Sequence, residues 1–91
     1  MKPLAIKSIL TNPVLVRVAM AWPSAVAGGQ VSYAKLAILT GYPDLMVLNA
    51  AAALQGFGAV NKFGNLAPEL EQALLDQIKR KEKGDEAHLQ Q

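Results

Sequence analysis

Apolar residues in this chain fall in short groups punctuated by Pro, Gly and Asn, with no sustained alternation of strand type. Over 3–10, Leu4, Ile6, Ile9 and Leu10 give a short amphipathic turn or helix. Asn12-Pro13 has the chemistry of a helix start, because Asn caps orphan amides and Pro tolerates the first helical position. The spacing predicts a helix over 13–22 that buries Val14, Val18 and Met20 or their neighbours. Pro23 should end it or start a new one, since it lacks a donor and restricts the residue before it. Gly28-Gly29 supplies a turn with free access to positive φ.

A second set of signals follows at once. Ser32 is a good N-cap for a helix over 33–40, whose Leu36, Ile38 and Leu39 are available to a core. Gly41 suits the left-handed position that closes a helix, and Tyr42-Pro43 makes a tight turn. Asp44 can then cap a third helix over 45–55. Helix, short Gly-containing turn, helix is the helix-turn-helix order. Gly56, Gly58, Asn61 and Gly64-Asn65 mark a loop or short hairpin, the natural place for a wing. The clearest helix spans 68–83. Pro68, Glu69 and Glu71 lie in its first turn, Lys79, Arg80, Lys81 and Lys83 in its last, and Leu70, Ala73, Leu74 and Ile78 form its stripe. Residues 84–91 read as a polar tail. The expected fold is mainly α: one small winged helix-turn-helix-like domain over 1–83 with at most a short β wing.

Composition narrows the chemistry. The 91 residues are 52% apolar and 18% charged, enough for one core and too apolar for a disordered chain. Without cysteine there is no disulfide, thiolate nucleophile or Cys-based zinc site, and His88 alone cannot build a triad or a multi-His metal centre. Neither catalysis nor a cofactor nor a metal is expected. Net charge is +2, unevenly spread: residues 1–65 carry +4 and residues 66–91 carry −2. That is a mild polyanion preference. Two charge-free stretches of 17 residues, 18–34 and 45–61, are interrupted by Pro, Gly, Asn and Gln, which suits buried helices better than membrane spans. With no secretory-type signal, a cytoplasmic location is expected.

From residue 12 to 43 the chain resembles a known family. Pro13, Val18, Gly29-Gln30-Val31-Ser32-Tyr33, Leu36-Ala37, Leu39, Gly41 and Pro43 are similar to the C-terminal DNA-binding domain of O6-alkylguanine-DNA alkyltransferases and the non-enzymatic alkyltransferase-like proteins. The segment from Val60 to Pro68 and the helix bearing Gln72, Leu74 and Leu75 extend the likeness to about residue 80. Two departures stand out. Where the family has Pro-Cys-His-Arg, or Pro-Trp-His-Arg in the non-enzymatic branch, this chain has Gln55-Gly56-Phe57-Gly58-Ala59. Alkyl transfer needs a thiolate, so that chemistry is excluded. The arginine that the family inserts into the base stack is replaced by Val47 or Leu48, which could act only as an apolar wedge.

The resemblance implies a non-enzymatic DNA-binding module of the DNA alkylation damage type, with double-stranded DNA, including DNA carrying an alkylated guanine, as partner. Tyr33 matches the family tyrosine beside the phosphate of the flipped nucleotide, and a helix start suits an anion. Ser32 can cap and also donate to a phosphate. Asn49 and Gln55 are the base-reading types on the recognition helix. Lys35 and Lys62 would lie near the backbone. Each has a plainer counterpart: Tyr33 as a packed aromatic, Ser32 as a cap alone, the 79–83 run as a solvated helix end, and Trp22 as an apolar plug between the first two helices. The competing reading is an interaction protein that keeps the fold. It would use the apolar helix 45–54, with Leu45, Met46 and Leu48, as a homodimer or partner interface.

Overall fold

The computed structural model describes residues 1–61 and 64–89, with side chains to residue 80. Its elements are α1 (Pro3–Leu10), α2 (Pro13–Ala25), β1 (Val26–Ala27), β2 (Gln30–Val31), α3 (Tyr33–Thr40), α4 (Asp44–Gly56) and α5 (Pro68–Leu89). The mainly helical winged-helix expectation therefore holds. Three local signals act as read. Asn12 Oδ1 accepts from the Val14 and Leu15 amides at 3.0 and 3.3 Å. Ser32 Oγ accepts from the Lys35 amide at 3.2 Å. Gly41 takes the left-handed conformation, φ 75°, and its N–H closes on Ala37 C=O at 2.9 Å. Asp44, in contrast, is the first residue of α4 and makes no cap; Pro43 holds the cap position without a side-chain bond.

α2 runs three residues beyond the expected end, through Pro23. Proline there falls in the last turn, where its missing donor removes a single helical bond. Buried Trp22 and Ala25 anchor that turn in the core. The chain then makes the two-stranded antiparallel sheet, pairing Val26 with Val31 and Ala27 with Gln30. Gly28 and Gly29 have φ of 61° and 80°, the sign that a two-residue type I′ turn requires of both central residues. The expected wing segment holds an isolated antiparallel bridge, Val60 with Leu66, braced by Asn61 N–H on Asn65 C=O at 2.8 Å. Lys62 and Phe63 lie outside the described residues.

α2 packs against α1, α3 and α4, and α1 also meets α5. The core joins Ile9, Val18, Trp22, Leu36, Val47, Leu54 and Leu70, all fully buried. In α2, Val18 and the neighbours Leu15 and Ala19 are buried while Met20 is exposed; in α3, Leu36 is buried as expected but Ile38 and Leu39 point outward, and Thr40 takes an inner position. α5 continues to Leu89, past the expected end at Lys83. Gly84 costs about 1 kcal/mol inside a helix and does not by itself stop one. No single helix among the described residues is long and apolar enough to cross a membrane.

Candidate nucleic-acid interface

Two helices meeting at a sharp corner create the main candidate surface. α4 turns away from α3 by 110° across the three-residue link of Gly41, Tyr42 and Pro43, within the range of helix-turn-helix pairs. The corner is held from behind by Arg17 on α2. Its Nε donates to Thr40 C=O at 3.0 Å, and its guanidinium lies 5.8 Å from the Tyr42 ring centroid. That places a cation at the carbonyl end of α3, where the helix dipole favours it. Thr40 completes the corner. Its hydroxyl donates to Leu36 C=O at 2.7 Å and accepts from the Tyr42 amide at 3.3 Å.

α4 buries Val47, Ala50, Ala51 and Leu54, so its opposite face carries Leu45, Leu48, Asn49, Ala52 and Gln55. Spacings of three and four keep these on one stripe. Leu45 is 70% exposed. Asn49 is an exposed amide among apolar neighbours, and no Lys or Arg lies on α4. Beside it, Asn12, Val14, Leu15, Pro43, Met46 and Ala53 help enclose a mainly apolar groove of about 580 Å³ between α2 and α4. The two residues eligible for the wedge position now separate: Val47 is in the core and Leu48 faces outward.

A second, more polar cleft of about 350 Å³ lies where the β hairpin, the start of α3, the end of α4 and residues Val60, Asn61 and Gly64 converge. Tyr33 and Gln55 share it with Gln30, Asn61 and one side of Trp22. Trp22 Nε1 donates to Gly64 C=O at 3.0 Å, so the tryptophan pins this loop to α2 as well as filling the core. A Cβ on Gly64 would stand 2.5 Å from Gly29 C=O, so the loop and hairpin backbones touch directly.

The structure thus divides the expected site. Tyr33 and Gln55 share the cleft, Asn49 lies on the outward face of α4, and Ser32 and Lys35 are exposed in the first turn of α3. Lys62 falls outside the described residues. Gln30, Asn61 and Arg17 were not named as site residues from the sequence. The hairpin glycines were the one local signal near Gln30; the other two depend on contacts distant in sequence. Among the described residues no three His, Asp or Glu side chains come together as a metal site. No family model, curated protein or solved structure matches the chain.

Proposed function

We propose that this is a non-enzymatic winged-helix module that binds double-stranded DNA, with α4 entering the major groove. The observation that carries this reading is the 110° corner of α3 and α4 with the outer stripe of α4 left uncovered. In such docking the first helix crosses the backbone and the early residues of the second meet base edges. Ser32, Tyr33 and Lys35 then lie toward phosphates at the start of α3. Asn49 is the amide type that pairs with adenine N6 and N7, while Leu45, Leu48 and Ala52 offer apolar contact to thymine methyls. The preferred duplex is therefore A·T-rich. An alkylation-sensing role rests on the resemblance at Tyr33, with the Tyr33–Gln55 cleft as the place for a turned-out base.

Fluorescence anisotropy tests this with A·T-rich, G·C-rich and O6-methylguanine duplexes at about 50 and about 200 mM salt, a range over which phosphate contacts show themselves. A·T preference supports the reading. Absence of binding at the lower salt overturns it, and indifference to the lesion removes the damage-sensing part alone.

A second reading has its own observation. The face of α4 lacks cations and adjoins an apolar groove, which favours a protein occupant with an apolar segment. Under that reading, Leu48→Asp abolishes partner binding and the duplex titration is flat.

A further inference from the structure

α5 does not bury all of its apolar surface. Leu70 and Leu74 enter the core, whereas Leu75 is 53% exposed. Across from it on α2, Met20 is 47% exposed. Met20, Pro23, Leu66, Leu74, Leu75 and Ile78 line an apolar groove of about 370 Å³ between the two helices, with Glu71 at its edge. No element among the described residues covers it, and it is separate from the face of α4.

We infer that this groove seats α5 of a second copy of the chain, packed antiparallel about a two-fold axis close to Leu75. Charge selects both occupant and direction. On the Leu75 side of α5, Glu71 lies one turn before it and Lys79 one turn after, whereas Asp76 and Arg80 line the α1 side with Leu10, and Glu69 stands 3.9 Å from the chain's own N-terminus. A parallel pair would set acid beside acid and base beside base. An antiparallel pair centred on Leu75 sets Glu71 of one copy at the height of Lys79 of the second copy, and it opposes the two helix dipoles. A surface that complements itself under a half-turn is what a closed two-fold contact requires. Leu75 then meets its own equivalent at the axis, and Ile78 of each copy enters the groove beside Met20 and Pro23 of the other. The inference stands independently of the DNA reading. If both hold, two α4 helices become related by the two-fold axis and suit an inverted-repeat site.

Sedimentation equilibrium of the whole chain, from micromolar to hundreds of micromolar, tests it. The expected mass is twice the 9.7 kDa of the single chain. Leu75→Glu and Met20→Glu should each weaken dimerisation roughly 100-fold, because each buries an unpaired carboxylate in an apolar contact. Both side chains are at the surface of the single chain, so circular dichroism should be unchanged. Leu48→Glu, on α4, should leave the dimer intact. Since the chain has no cysteine, Leu75→Cys carries a unique thiol and should form a covalent dimer on oxidation. Asp76→Cys, about 100° further round the helix, should not. A single-chain mass throughout, a dimer insensitive to Leu75→Glu, or a dimer dissolved by Leu48→Glu would each overturn the inference. A persistent dimer with no duplex binding would remove the DNA reading and leave this one standing.

Discussion

Trp22 and Gly64, 42 positions apart, are joined by an indole N–H donating to a backbone carbonyl at 3.0 Å. Through that bond the end of α2 holds the loop that walls the polar cleft. Trp22→Phe keeps most of the apolar volume and removes the donor. It should lower stability by about 1–2 kcal/mol, since a partly buried carbonyl loses its partner. Amide exchange should quicken around residues 59–66 more than in α3. Uniform exchange across the chain would show that the bond does not hold the loop.

The contact between Gly64 and Gly29 makes a sharper prediction. Gly64 has φ 79° and no room for a Cβ, whereas Gly28, φ 61°, has open space around it. Gly28→Ala should cost about 1 kcal/mol for the left-handed backbone alone. Gly64→Ala adds a backbone collision and should cost about 2–3 kcal/mol. Urea midpoints of the two variants check the order; equal midpoints would mean that the loop can move aside freely.

Arg17 offers a test of the helix-turn-helix corner. Arg17→Met retains much of the stem and deletes both the bond to Thr40 and the charge over Tyr42. A loss of about 1–2 kcal/mol is expected from a charged hydrogen bond and a partly exposed cation–π contact. Arg17→Lys should recover little, because the ammonium lacks the planar fork of the guanidinium. Full recovery would assign the role to charge alone.

For the proposed duplex contact, Asn49→Ala should reduce A·T-over-G·C discrimination by about 1–3 kcal/mol, the worth of one bidentate base contact. Lys35→Ala should weaken all duplexes alike and lower the salt slope by about one unit. A change in overall affinity with discrimination intact would move Asn49 from base reading to backbone contact.

What the sequence disclosed was local. Asn12, Ser32 and Gly41 announce helix ends because each acts within a few residues of itself, and the corner at 41–43 follows from them. The sheet was legible only as a turn, since strands of two residues are too short to show alternation. Ile38 is 81% exposed because α3 presents the Leu36 and Thr40 side to the core, and its continuous apolar run gives no periodicity from which to choose. Tyr33 and Gln55 could be named as candidates singly. Their meeting with Gln30 and Asn61 depends on a loop folded back by a tryptophan far along the chain.

The touching backbones of the hairpin and Gly64 limit how the cleft can vary. On one side main chain meets main chain at Gly29 and Gly64, and the Trp22 indole holds Gly64 in that place. Gln30 and Gln55 are exposed and leave that spacing untouched. Exchanging either for a charged, hydroxyl or apolar residue would alter the chemistry of the opening while its dimensions stay fixed. The two glycines define a frame, and the glutamines are its interchangeable lining.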